Sequence, residues 1–477
     1  MIHGTQMLIL LALLALSTGC GDSPSPTQPP EPPVDTTGTT PPPPATTGDI
    51  RLNAATRYQT IVGWEAHSES GQDDAPFASY RNTLFDRAVN ELGITRLRLE
   101  PVASLEHTQD LHQQWLTGAI DNTQYRCTRY STINDNSDPF TINWNGFKFS
   151  RLDKYIDDII VPMRQRLSAR GESLYLVATY VAFVNHNCAG TQYHHDDSPE
   201  EYAEFVLATY LHMQQKYGFV PDAWEVILEP DNTPFWRGTQ IGQAIVAAAN
   251  RLQQNGFTPR FIGPSTARPA NAPTYFDGIA AVAGATSRMT ELSYHRYGSV
   301  TEDLLRSIAS RAAQHNLKTS MLEHMGSGHE DLHSDLKFAN VSAWQQFALA
   351  FPTTDNGAQY YLINTSGTSA TVQLASRSRF LRQYFNYVRP GAVRIEAQTT
   401  RSGLDPLAFI NSSGKYVVVV KANAQASFTV GGLPAGTYGV SYATGTASNS
   451  AADVAITAGQ VVSASIPAAG VLTIYRK

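Results

Sequence analysis

From position 60 to 387 the chain repeats one alternation. A short apolar run reads as a strand, and a stretch with helical spacing follows it. The strand-like runs lie at 60–64, 94–99, 174–180, 224–228, 260–263, 291–295, 318–323 and 359–363. Parallel strands need crossovers of a dozen or more residues, and the intervening helical stretches supply them. Eight such units over about 330 residues predict an α/β chain of (β/α)8 barrel type. A doubly wound open sheet is the alternative. No G-x-G-x-x-G or G-x-x-x-x-G-K-S/T stands at a strand-to-helix turn, which weakens a nucleotide-binding reading.

The helices are read from spacing and caps. Positions 152–169 form one. Ser198-Pro-Glu-Glu201 has the pattern of a capping box with Pro at the first helical position. It opens a helix that turns Tyr202, Phe205, Val206 and Met213 inward and closes at Gly218. Ile241, Ile245, Ala248 and Leu252 mark the next by their spacing, with Gly256 behind it. Leu304, Ile308 and Ala312 mark another. Positions 341–351 read as a helix, and 377–387 as the last one.

The flanks differ in texture. Positions 7–16 are ten apolar residues, too few to span a bilayer but suited to a secretory signal. Leu16-Ser-Thr-Gly-Cys20 resembles a bacterial lipoprotein signal, which implies lipidation at Cys20; a plainly cleaved signal is the alternative. Positions 21–48 are rich in Pro, Thr and Ser and read as an extended tether. Beyond Pro390, short strands alternate with turn chemistry such as Asn411-Ser-Ser-Gly414, giving an all-β sandwich. The expected layout is a signal at 1–20, a tether at 21–48, a barrel at 49–389 and a sandwich at 390–477. Positions 50–55 are free to add a strand to the sandwich, because the chain enters the barrel only afterwards.

A net charge of −6 with 16% charged residues offers no basic face for nucleic acid. The three cysteines, Cys20, Cys127 and Cys188, contain no C-x-x-C pair. Cys127 and Cys188 fall in the loops after the second and third strands. Those loops are neighbours on one barrel face, and an exported chain permits a disulfide between them.

Active sites of such barrels sit at the C-terminal strand ends. Glu229 ends the fourth run, where Pro230 stops the strand. Glu323 ends the seventh. Two strand-end glutamates facing each other across a barrel suit glycoside hydrolysis with retention, which needs carboxyls about 5–5.5 Å apart. Along an ideal strand Trp224, Val226 and Leu228 share one face, and Glu225, Ile227 and Glu229 the other.

Three segments carry a resemblance to a known family. Tyr58-Gln-Thr-Ile-Val-Gly-Trp64 resembles the opening strand of glycoside hydrolase family 30, in the clan A of retaining barrel glycosidases. Tyr294-His-Arg-Tyr297 resembles its sixth-strand segment, and Thr319-Ser-Met-Leu-Glu323 its nucleophile strand. The barrel-plus-sandwich plan is shared. The resemblance implies that Glu229 is the acid/base and Glu323 the nucleophile, with no cofactor or metal. It implies a β-linked polysaccharide substrate of xylan, β-1,6-glucan or galactan type, cleaved by an anchored monomer. Leu228 departs from the pattern. The clan normally has an Asn there that binds the sugar 2-hydroxyl, and a leucine cannot make that bond. Asn232 or His295 is expected to supply it instead.

Other positions are assigned by place. Glu229 is expected to hold its proton near neutrality through its neighbour's charge and partial burial. Arg98, ending the second strand, orients the nucleophile or forms a structural ion pair. Tyr297 or His295 hydrogen-bonds the nucleophile. Trp64 and Trp236 form sugar-stacking walls or ordinary packing. Glu225 is structural, neutralised by Arg96 or Arg98. His186, His194, His195, Asp196 and Asp197 crowd the loop after the third strand; a solvated loop is the simpler reading, a metal site the other. The long loop at 101–152 can wall a cleft on one side. Two further functions remain open: a silent glycan-binding protein on the same scaffold, and a metal-dependent hydrolase using the loop histidines.

Overall fold

Eight parallel strands close into a ring in the computed structural model, which describes residues 48–183, 195–351, 355–366 and 369–477. The apolar leader, Cys20 and the tether up to residue 47 lie outside the described residues, as do His186, Cys188 and His194. The first strand, β1 (Ile50–Thr60), belongs to a second sheet. The barrel is built from β2 (Gly63–His67), β3 (Arg96–Leu99), β4 (Tyr175–Thr179), β5 (Ala223–Glu225), β6 (Phe261–Thr266), β7 (Met289–His295), β8 (Lys318–Glu323) and β9 (Val341–Phe351). Neighbours pair in that order, and β9 closes the ring by pairing with both β8 and β2.

The closing strand is where the sequence misleads. Val341-Ser-Ala-Trp-Gln-Gln-Phe-Ala-Leu-Ala-Phe351 was expected to be helical, yet it is β9. Nine of its eleven residues are buried. A barrel strand is covered on both faces, so the period-2 alternation that marks a strand is lost, and Ala, Gln and Leu favour a helix. The run at 359–363, expected to be the eighth barrel strand, is β10 (Gln359–Ser366). It pairs with the outer end of β9 and with β11 (Ser369–Leu374), outside the ring. The first barrel strand also slides, from the expected 60–64 to Gly63–His67.

The Pro199–Tyr217 helix buries Tyr202, Phe205, Val206 and Met213 and ends at Gly218 with φ 72°. Its expected capping box does not form. Ser198 is the N-cap but makes no side-chain cap bond, and the Glu201 carboxylate, the other half of the box, accepts from Asn134 Nδ2 at 3.2 Å.

The second sheet comprises β1 with β12 (Val393–Thr399), β13 (Leu404–Ile410), β14 (Tyr416–Ala422), β15 (Ala426–Gly431), β16 (Gly436–Thr444), β17 (Ser448–Ile456), β18 (Val462–Ile466) and β19 (Gly470–Arg476). It forms the β-sandwich, mostly antiparallel, with β1 between β12 and β15. Its Val run at 417–420 follows from two-sided burial. Val418 and Val420 enter the sandwich core, while Val417 and Val419 join the barrel's own cluster. Alternate residues of one strand therefore fasten two domains together.

Candidate active site

Charge fills the barrel lumen from the bottom up. Arg96 and Arg98 lie two apart in β3, so both side chains enter the ring, and both are fully buried. Arg96 Nη1 and Nη2 donate to the two oxygens of Glu291 at 2.6 and 2.9 Å, and Nε donates to Glu65. Glu65 and Glu291 are themselves fully buried. Burial pushes the Glu65 carboxyl up, against the pull of Arg96.

One layer higher, Arg98 Nη2 donates to Glu323 Oε2 at 2.5 Å and lies 3.3 Å from Glu100 Oε1. Tyr297 OH donates to Glu323 Oε1 at 2.8 Å. Both oxygens of Glu323 are thus held by groups predicted from the sequence. Glu229 is held as firmly. His295 Nδ1–H donates to its Oε1 at 2.9 Å, and Asn232 Nδ2 to its Oε2 at 2.7 Å. The nearest oxygens of Glu229 and Glu323 and a ring nitrogen of His295 all lie within 4.8 Å of one another. Carboxylates this close could bracket a cation, but the Arg98 guanidinium on Glu323 opposes a second positive charge there.

Glu229 does not end a regular strand. The ladder of β5 stops at Glu225, and the backbone beyond it hooks alternately to its neighbours. Val226 N–H donates to Ile262 O, Leu228 N–H to Tyr180 O, and Glu229 N–H to Ser265 O. Glu229 itself is left-handed, at φ 50° and ψ 58°, a conformation that costs a non-glycine residue roughly 1–3 kcal/mol and gathers at functional sites. This turn corrects the expected alternation, because Leu228 and Glu229 both line the cavity at the barrel mouth.

That cavity encloses about 480 Å³. Leu228, 5% exposed, packs there with Val102, Tyr130 and Val181. Asn232 and His295, expected to replace its missing contact, both turn to Glu229. Leu228→Asn is expected to bury an amide in this apolar cluster, costing about 1–3 kcal/mol, and to lower kcat/KM. Thermal melts and kinetics check this; a gain in activity would contradict an apolar wall.

Two tryptophans require correction. Trp64 is fully buried, donates from Nε1 to Val388 O at 2.6 Å and stacks on Phe385 at 4.6 Å. Because β2 starts only at Gly63, Trp64 lies near its N-terminal end and faces the helical shell. Trp236, 2% exposed, packs edge-on against Tyr202 at 5.5 Å. Neither is a sugar wall. The aromatics of the cavity come from elsewhere, with Trp115, Tyr125 and Tyr130 on the long 101–152 insertion and Phe347 on β9. Trp115 stacks on Tyr125 at 4.7 Å.

Glu225 accepts from Thr179 Oγ1 at 2.6 Å rather than from an arginine, since Arg96 and Arg98 are committed to other carboxylates. His195 is a buried link, accepting from Tyr180 OH at 2.7 Å and donating from Nε2 to Glu106 at 2.8 Å. Cys127 is disulfide-bonded; Cys188, its expected partner, lies outside the described residues. Sequence reasoning missed His67 and Glu100, which also line the cavity, with His67 Nε2 3.2 Å from Glu100 Oε1. The strand-end rule that found Glu229 finds Glu100, which immediately follows the run at 94–99; it misses His67, because the first strand ends there and not at 64.

Burial alone would lower the pKa of His295. The hydrogen bond to Glu229 and the charges of Glu323, Glu229 and Glu225 outweigh it and hold the pKa above its ordinary value. Such a group adds stability that is complete below its unfolded pKa of about 6.5 and lost as pH rises through the folded value. The stability gap between wild type and His295→Gln is therefore expected to be widest in acid and to narrow above neutrality. Melts across that range check it, and a gap that widens with pH would contradict it.

No protein-family model matches the chain, and no curated protein matches it. Solved structures do. The catalytic domain of a GH30 xylanase C from Talaromyces cellulolyticus aligns at TM-score 0.66 and 19% identity, over 90% of this chain and 99% of that one. A GH30 endoxylanase from Clostridium papyrosolvens C71 aligns at 0.60 and 17%, over 90% and 100%. An endo-β-1,6-glucanase aligns at 0.62 and 17%, over 90% and 94%. The chain thus has a glycosidase fold, a parallel eight-stranded barrel with a β-sandwich. Within that class the fold is shared with these GH30 structures.

Proposed function

We propose that the protein is a retaining glycoside hydrolase acting on a β-linked polysaccharide or oligosaccharide of xylan, β-1,6-glucan or galactan type. The observation that carries this reading is the carboxylate spacing. Oxygens of Glu229 and Glu323 approach within 4.8 Å, close to the roughly 5–5.5 Å of retaining enzymes and short of the 6.5–9.5 Å that admits an inverting water.

The residues divide the work. Glu323, oriented by Arg98 and Tyr297, attacks the anomeric carbon. As the glycosidic C–O bond breaks, Glu229 passes its proton to the leaving oxygen. Glu229 then takes a proton from water, whose oxygen attacks the same carbon and releases Glu323. Two inversions give net retention. His295 and Asn232 hold Glu229 on the leaving-group side and can follow its change of charge. A lipidated Cys20 and the tether would hold this monomeric domain off a bacterial cell envelope.

The test is a panel of plant, fungal and algal β-glycans, with product sizing and proton NMR of the first-formed anomer. The expected result is a β-anomer from at least one glycan. Initial α-anomer would overturn retention. Binding without turnover across the panel would favour the silent glycan-binding reading, for which Leu228 is the specific observation.

A further inference from the structure

Outside the residues that line the cavity, the 101–152 insertion meets the first turns of the Pro199–Tyr217 helix through carboxylates. Asp135, Glu201 and Glu204 each bring an oxygen within 4.8 Å of the others. Glu201 and Glu204 are three apart, which puts them on one helix face. Glu204 is 1% exposed and Glu201 8%. Hydrogen bonds account for only some of these oxygens. Asp135 Oδ2 accepts from the Asn143 N–H at 2.5 Å and from Asn136 Nδ2 at 3.0 Å, and Glu201 Oε1 accepts from Asn134 Nδ2. Asp135 Oδ1 and Glu204 Oε1 are buried with no hydrogen-bond partner among the described residues.

The basic groups nearby are engaged elsewhere. His195 donates to the adjacent Glu106. Arg251 donates to Pro139 O and lies 4.6 Å from the centre of the Phe140 ring. A buried carboxylate oxygen without a partner is costly, and carboxylates that share a site repel one another. Burial, together with repulsion from neighbouring carboxylates, raises all three carboxyls, Glu204 to about 8. A cation at their centre removes both costs.

We propose that Asp135, Glu201 and Glu204 bind a calcium ion that pins the 101–152 insertion to the Pro199–Tyr217 helix. An all-oxygen, carboxylate donor set selects a hard cation. Three protein carboxylates favour calcium, because magnesium dehydrates reluctantly and is usually held by one or two carboxylates with several waters. The insertion carries Trp115, Tyr125 and Tyr130 into the cavity wall, so the ion would fix one wall of the cleft from behind. The proposal is independent of the glycosidase reading.

The test uses the whole chain, stripped with EDTA, dialysed and titrated with calcium chloride at neutral pH. Calorimetry is expected to give one ion per chain. A hundredfold excess over Kd is expected to raise Tm by about 3 °C. In EDTA, Glu204→Gln is expected to melt at or above wild type, because it removes a buried carboxyl that has to be held protonated or unpaired there, and calcium no longer raises its Tm. Glu201→Gln should lose the response in the same way, while Glu200→Gln, an exposed neighbour on the same helix, keeps it. Absence of heat and of any Tm shift in the wild type up to about 10 mM calcium overturns the proposal, since even weak extracellular sites fill there. So does a calcium response that survives in both Glu204→Gln and Glu201→Gln, or one that magnesium matches in full.

Discussion

Glu323→Gln is expected to lower kcat on the active glycan by on the order of 10⁴-fold or more while leaving the fold intact, the scale seen when a covalent nucleophile is removed. An amide cannot form the glycosyl ester. It keeps the side chain's shape, but its single oxygen can accept from Tyr297 or from Arg98 and not from both, and Arg98 retains Glu100, so the circular dichroism spectrum should stay near wild type while Tm falls. Glu229→Gln should behave differently. Loss of proton donation costs most with a poor leaving group, about 10²–10⁴-fold. An aryl glycoside, whose phenolate needs little protonation, should therefore react with a burst and then stall, because water has lost its base. Added azide should relieve that stall and yield a β-glycosyl azide. Wild-type turnover in either variant would remove that glutamate from the proposed mechanism.

Arg96→Ala should produce the largest loss of stability. Its guanidinium bridges Glu65 and Glu291, and all three side chains are at most 1% exposed. Removing it leaves two buried carboxylates without their cation, a change that typically costs about 3–5 kcal/mol. Adding Glu65→Gln and Glu291→Gln should recover most of that loss, because the penalty lies in the stranded charges. Arg306→Ala is the contrast. Its pair with Glu302 is exposed, at 57% and 51%, and is worth about 0.3–0.5 kcal/mol. Urea unfolding of the wild type and these three variants measures the difference. An Arg96→Ala loss as small as that of Arg306→Ala would mean that the triad does not hold the ring together.

How much of this was legible in the sequence depended on whether the signal was local. Glu229 and Glu323 could be found because a carboxylate at the end of an apolar run is anomalous by itself. Arg98 and Tyr297 followed from their strand ends. Position 341–351 failed because burial on both faces erased its alternation. Trp64 and Trp236 failed because a tryptophan near a strand end has the same spelling whether it faces a sugar or a helix. The left-handed turn at Glu229 has no sequence signature beyond Pro230, so the shared orientation of Leu228 and Glu229 could not be read. Glu65 and Arg96 are register partners on the adjacent strands β2 and β3, but Glu291 comes from β7, and only closure of the ring brings it to Arg96.

The position of β1 also sets an order in time. It is synthesised before the barrel, yet Asn53 reaches Glu396, 343 residues later, and Asp49 reaches Thr429, 380 residues later. At a ribosomal pace of about 5–20 residues per second, β1 waits roughly 20–70 s for its neighbours. Throughout that interval it is a strand with two bare edges, a template for association with other chains. Its composition suits the wait. Arg51, Asn53 and Arg57 interrupt the apolar positions, as gatekeeper residues do beside strands that must stay single. A chain ending at the barrel would leave that strand waiting permanently, so the sandwich serves the barrel first as the place where its leading edge is put away.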